Sequence, residues 1–235
     1  MGAARRLGMS LWVVRHAQPQ IAPGICYGAL DVPADPAATQ ATAQALAQVL
    51  PQGAQLRCSV LQRCELLPHY LCALRPDFVC KPEPRLVEMN FGIYEGVAWA
   101  DIPKDALDAW TADFSNHRFG GRESVAQFMA RVAEVWDECC VPAAPQEALG
   151  ARAAERCAQV KEEPAKRAGD TEHNALPPSL LPDQVRLPLP DQVWITHAGV
   201  ARAAVLLEQG IRIPHSAAQW PAQAPAFGGW IKLGN

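Results

Sequence analysis

Four consecutive apolar residues, Leu11-Trp12-Val13-Val14, run straight into Arg15-His16-Ala17 and then into a loop opened by Gln18-Pro19. A short unbroken apolar run is the pattern of a strand buried on both faces, and such a strand needs helices on both sides of its sheet. In open α/β sheets, ligands bind just beyond the carboxyl ends of the strands. Arg15 and His16 fall at that position, with a rigid sheet behind a guanidinium and an imidazole. By itself the dipeptide reads more simply as a solvated loop start and a surface histidine, so the rest of the chain must decide.

The pattern recurs. Val193-Trp194-Ile195-Thr196 again ends on a histidine, His197, followed by Ala198-Gly199 and a helix expected over 201–208. Small residues opening a helix leave backbone N–H groups for an anion. Between the two runs, Asp35-Pro36 supplies an N-cap and a first-position proline for an Ala/Gln-rich helix, which Pro51-Gln52-Gly53 stops. A weak strand is expected over 55–59. A helix from about Val60 or Leu61 should carry Arg63 in its first turn and kink or break at Pro68. Phe78-Val79-Cys80 reads as a short strand and residues 82–92 as turn-rich. Helices are expected over 102–113, with Leu107 and Trp110 on one face, and over 124–140. In the latter, Val125, Phe128, Met129, Val132 and Trp136 repeat at helical spacing and read as core. Residues 227–233 form a plausible last strand. Strands alternating with helices predict an α/β chain, a three-layer α/β/α sandwich with a largely parallel central sheet.

The 235 residues suit a single domain. Residues 1–8 read as a disordered leader, with Met9 a second candidate start. They hold two arginines but no apolar h-region, so no signal peptide is expected and the cytoplasm is the expected compartment. Residues 141–192 are Pro-rich and read as a long flexible excursion, with room for a solvated helix near 148–162. A net charge of −3 and the lack of a polybasic run argue against nucleic acid and anionic membrane as partners, and no apolar stretch reaches spanning length. The eight cysteines, at 26, 58, 64, 72, 80, 139, 140 and 157, include no C-x-x-C pair. They read as reduced thiols, mostly small core residues, with a structural zinc site as the alternative.

Two arginines (Arg15, Arg63), two histidines (His16, His197) and one carboxylate (Glu88) suit metal-free phosphoryl transfer. Guanidinium forks match phosphoryl oxygens, a neutral imidazole can attack phosphorus, and a carboxyl group can protonate the leaving alkoxide. No carboxylate cluster for Mg²⁺ and no phosphate-cradling Gly-rich loop is evident.

These segments resemble the histidine phosphatase superfamily, in the branch with cofactor-dependent phosphoglycerate mutase and α-ribazole phosphatase. Val14-Arg15-His16-Ala17 is similar to its Arg-His-Gly signature, with Ala17 for glycine. Ser59-Val60-Leu61-Gln62-Arg63 resembles Ser-Pro-Leu-x-Arg, and Leu86-Val87-Glu88-Met89-Asn90-Phe91-Gly92-Ile93-Tyr94-Glu95-Gly96 resembles Leu-x-Glu-x-x-Phe-Gly-x-x-Glu-Gly. Gly120-Gly121-Arg122-Glu123-Ser124 resembles a Gly-Gly-Glu-Ser turn with Arg122 inserted, and Thr196-His197-Ala198-Gly199 fits the second histidine motif. The resemblance implies a phosphoglycerate mutase-like fold and a phosphohistidine mechanism with no metal and no cofactor. His16 would be the nucleophile and Glu88 the acid and base. Arg15, Arg63 and His197 would hold the phosphoryl group, with Ala198, Tyr27 and Gly28 also contacting substrate.

The loop Cys26-Tyr27-Gly28-Ala29-Leu30-Asp31-Val32-Pro33, and Trp99 after the Phe91–Gly96 segment, are most similar to α-ribazole phosphatases. Gln18-Pro19-Gln20 lacks the Trp-Asn pair usual in the mutases. The expected partner is a small phosphorylated molecule, α-ribazole 5′-phosphate among them, with a second copy of the chain, in a homodimer, as the other candidate. Mutase-type transfer and a non-catalytic phospho-ligand-binding relative are the alternatives.

Overall fold

The computed structural model describes residues 8–140 and 190–234. The leader expected over 1–8 and the excursion over 141–192, with its helix near 148–162, fall almost wholly outside them, as does Cys157. Five strands, β1 (Leu11–Arg15), β2 (Gln55–Cys58), β3 (Cys80–Pro82), β4 (Gln192–Thr196) and β5 (Trp230–Leu233), form one sheet in the order β3-β2-β4-β1-β5. The first four are parallel, and β5 joins β1 antiparallel at one edge. Among the described residues, five α-helices accompany them: α1 (Pro36–Val49), α2 (Gln62–Leu74), α3 (Lys104–Ala112), α4 (Val125–Cys140) and α5 (Ala198–Glu208).

Strand periodicity divides the core into two layers. Val13 and Trp194 point to one face and pack with Phe128, Met129, Val132 and Trp136 of α4 and with Leu206 of α5. Val14, Val193 and Ile195 point to the other, with Leu46 of α1 and Leu67 and Leu71 of α2. Every residue of β4 is buried, as befits the central strand. The result is the expected α/β/α sandwich.

Local chemistry sets the helix ends. Asp35 Oδ1 accepts from Ala38 N–H at 2.7 Å, and Pro36 opens α1. Ser124 and Gln127 exchange hydrogen bonds ahead of α4, the hydroxyl accepting from one backbone N–H and the side-chain amide oxygen from the other.

Four expectations need correction. α2 is not broken at Pro68: it runs on through residue 74. The missing N–H forfeits only a bond to the Cys64 carbonyl, and burial of Leu67, Pro68 and Leu71 keeps the turn in place. The third strand lies at Cys80–Pro82 because Phe78 turns into the core instead of joining the ladder, leaving Val79 exposed. The last strand begins at Trp230, not 227. The helix expected from 201 begins at Ala198, for a reason found in the site itself.

Candidate active site

β1 and β4 pair with Arg15 opposite Thr196, so the next residue on each strand, His16 and His197, emerges at the same level. His16 N–H donates to the Thr196 carbonyl at 2.9 Å, and the two imidazoles stand 5.3 Å apart between centroids. β2 ends beside them: Ser59 N–H donates to the Ile195 carbonyl, and α2 follows with Arg63 in its first turn. Three neighbouring strand ends thus bring Arg15, His16, Ser59, Arg63 and His197 together.

The hydrogen bonds decide the tautomers. His16 Nδ1 lies 2.7 Å from the Ala17 carbonyl oxygen, which can only accept, so Nδ1 carries the proton and Nε2 keeps its lone pair. Burial pushes His16 down to about 3, and nearby Arg63 and Arg15 push the same way against the pull of the Ala17 carbonyl. His197 Nδ1 accepts from Arg63 Nε at 3.2 Å, and its Nε2 lies 2.8 Å from Ser59 Oγ. Arg63 Nε can only donate, so the His197 proton sits on Nε2. Burial, then Arg63 and His16, hold His197 well below the usual histidine range. Both imidazoles are neutral.

Arg63 is fully buried. Besides its bond to His197 it donates to the carbonyls of Leu30 (2.8 Å) and Gly28. Three of its five N–H groups are engaged. Arg15 donates to the Pro225 carbonyl at 3.0 Å and lies 3.8 Å above the Phe227 ring, and its Nε is buried without a partner. Burial lowers it from the usual arginine value, although neighbouring Tyr27 raises it.

Glu88 comes from the turn-rich segment. Its Oε2 accepts from Gly199 N–H at 2.8 Å and Oε1 from its own neighbour Met89 N–H. This carboxylate at the helix N-terminus is why α5 begins three residues early. The anion expected at the Ala198-Gly199 turn is therefore, in part, the protein's own. Arg131 of α4 anchors the segment from behind, donating to the carbonyls of Arg85, Val87 and Glu88 while pairing with Glu123.

Arg15, His16, Arg63, Glu88, Tyr27 and Ala198 all line one cavity of about 330 Å³. Two sequence expectations fall elsewhere. Gly28 lies behind Arg63, its N–H taken by Glu95 and its carbonyl by Arg63, and a Cβ there would come 1.8 Å from the Met89 carbonyl. Its part is to position the arginine. His197 also stands outside the cavity lining, touching Arg63 and His16. The inserted Arg122 faces a second groove on the far side of Glu88.

Sequence reasoning missed Arg202, which lines the same cavity one helical turn beyond Ala198 and Gly199. That i, i+3 and i+4 spacing was the available signal. It also missed Val125 and Phe128 as cavity walls, reading them only as core. Three guanidiniums against one carboxylate, with both histidines neutral, make the cavity electropositive and suited to an anion. Among the described residues no group of three or more metal-ligating side chains converges, and Cys26, Cys58, Cys64 and Cys139 are buried. No helix among them is long and apolar enough to cross a membrane.

A family model described as the histidine phosphatase superfamily (branch 1) matches residues 11–151. No curated protein matches the chain by sequence. Among solved structures it is similar to a mycobacterial glucosyl-3-phosphoglycerate phosphatase, with 20% identity, TM-score 0.61, and coverage of 95% of this chain and 89% of that one. The alpha-ribazole phosphatase from Shigella flexneri gives 19%, 0.59, 95% and 89% in the same order. A Thermus thermophilus protein, TTHB049, gives 21%, 0.56, 96% and 93%. At these identities the likeness is one of fold.

Proposed function

The chain belongs to the histidine phosphatase superfamily and is a phosphatase-type enzyme, and from that premise we propose that it is a metal-independent phosphomonoester hydrolase working through a phosphohistidine on His16. The observation that carries this reading is the His16 tautomer: Nδ1 is tied to the Ala17 carbonyl and the imidazole is neutral, so Nε2 offers a lone pair without prior loss of a proton. Nε2 attacks phosphorus and the bond to the alcohol oxygen breaks. Arg15, and the N–H groups of Arg63 not engaged elsewhere, hold the phosphoryl oxygens as charge moves onto them. His197 fixes Arg63, its Nδ1 accepting from the arginine Nε while its Nε2–H goes to Ser59 Oγ. Glu88 passes a proton, brought in by the monoanionic ester, to the leaving oxygen. It then takes one from the water that attacks phosphohistidine, returning His16 to its starting state.

The substrate is a small phosphorylated metabolite. The Cys26–Pro33 loop and the likeness to the Shigella enzyme make α-ribazole 5′-phosphate the first to try. The test is hydrolysis of an aryl phosphate in EDTA, wild type beside His16→Ala, with enzyme quenched in alkaline detergent, which spares the acid-labile N–P bond, assayed for phosphohistidine labelled from the ester. Turnover with chelator, label on wild type and neither on the variant support the mechanism. Turnover that survives His16→Ala sinks it.

A further inference from the structure

One wall of the cavity is a continuous chain of aromatic rings. Trp99 meets Phe91 at 5.7 Å between centroids, Phe91 meets Trp110 at 6.1 Å, and Trp110 stacks on Phe114 at 5.7 Å. Phe114 meets Trp220 at 6.0 Å, and Trp220 meets Phe128 at 6.3 Å. All six line the cavity that also holds Arg15, His16, Arg63 and Glu88. They arrive from the loop after Glu88, from α3 and its end, from α4 and from the segment after α5.

The rest of the lining is as informative. Once the groups assigned to the phosphoryl are set aside, the polar side chains left are Tyr27, Arg202 and the indoles. Among the described residues, the lining includes no amide, serine, threonine or aspartate. A hydroxyl-rich alcohol seated here would exchange its water partners for ring faces. A flat apolar ring would find edge-to-face and offset partners along the whole wall.

We infer that the alcohol half of the substrate carries an aromatic ring system that lies against this wall, in preference to a polyhydroxylated sugar or a carboxylic acid. The inference rests on the cavity being the site of phosphoryl transfer. Among the described residues Arg202 is the group there that would favour an acid, so an acidic substrate belongs in the test.

Naphthylmethyl phosphate and glucose 6-phosphate are both esters of primary alcohols, which keeps leaving-group reactivity comparable. 3-Phosphoglycerate supplies the acid, and acetyl phosphate, which has no ring to seat, reports phosphoryl transfer alone. The expected result is a kcat/KM for the naphthylmethyl ester on the order of 100-fold above those for the sugar phosphate and the phosphoglycerate. Trp99 is 37% exposed, so truncating it uncovers less buried surface than truncating Phe114 or Phe128. Trp99→Ala should lower the ratio of naphthylmethyl to acetyl phosphate kcat/KM roughly tenfold, and Trp99→Phe should restore most of it. Turnover of acetyl phosphate with equal or better use of glucose 6-phosphate or 3-phosphoglycerate overturns the inference and leaves the phosphatase reading standing. Folded enzyme inactive on acetyl phosphate and on every ester overturns that reading and the inference with it.

Discussion

Glu88 and Gly199 meet so closely that any side chain at 199 displaces the carboxylate: Oε2 accepts from the Gly199 N–H at 2.8 Å, and a Cβ on Gly199 would stand 2.1 Å from Oε1. The glycine is thus needed for proximity. Gly199→Ala leaves the helical backbone of α5 content and pushes aside a side chain that can rotate. Stability should change little, while kcat on alkyl phosphates falls roughly 10- to 100-fold, because a displaced carboxyl group protonates the leaving oxygen poorly. Esters of acidic phenols, which need no such proton, should be nearly spared. An equal loss on both classes would show that Glu88 is not the acid.

Arg131 acts on the same carboxylate from the other side. Its guanidinium holds the carbonyls of Arg85, Val87 and Glu88, and Glu123, which it pairs with, also accepts from Asn90 N–H. Arg131→Lys retains one charge but cannot span three carbonyls and a carboxylate. It should lower stability by about 1–3 kcal/mol and reduce kcat more than it raises KM, since the ground-state phosphate contacts are untouched. Thermal melts beside steady-state kinetics read both. A change confined to KM would place Arg131 in substrate binding.

The strand-end residues were legible because their setting is local. An apolar run closing on Arg-His or Thr-His places its charge at a sheet end whatever the rest of the chain does, and Arg63 follows from a helix start. The supporting groups were not legible, because their roles exist only across the fold. Arg131 looks like one more charge on an amphipathic helix, and Glu95 like a loop carboxylate. Gly28, expected against the substrate, spends its two backbone groups on Glu95 and Arg63. Phe128 was read as core from its spacing, and it is buried, yet no periodicity reveals that the same ring closes a cavity. The aromatic wall joins residues more than a hundred positions apart and has no sequence signature.

Glu95 is the keystone of the loop that carries Arg63's acceptors. Its two oxygens accept from the backbone N–H groups of Gly28, Ala29, Leu30 and Phe91, at 2.8–3.0 Å. Glu95→Gln keeps one oxygen and turns an NH₂ group toward N–H donors on the other side, stranding two of them. The expected cost is about 2–4 kcal/mol in denaturant titrations. Activity should fall with it, because the Gly28 and Leu30 carbonyls that orient Arg63 belong to the same loop. A variant as stable as wild type would mean that water replaces the carboxylate without loss.

The neutral histidines tie stability to pH with a definite sign. His16 is held down to about 3 in the folded protein, first by burial, whereas in the unfolded chain it titrates near the ordinary value of about 6.5. Between those values the unfolded state binds a proton that the folded state refuses, so folding is favoured less as pH falls. The contribution is fully present above about pH 6.5 and is lost on the way down toward 3. Near pH 5 the loss amounts to about 1.4 kcal/mol per pH unit for one such histidine, and His197, shifted in the same direction, adds to it. His16→Gln removes one titrating group and keeps a neutral, hydrogen-bonding side chain. Denaturant melts from about pH 7 to about 4.5 should therefore show wild-type stability falling more steeply than that of the variant, the two slopes separated by up to about 1.4 kcal/mol per pH unit. Parallel curves would mean that His16 takes up its proton in the folded state as readily as in the unfolded one. In that case the imidazole would not be the neutral nucleophile that its bond to Ala17 implies.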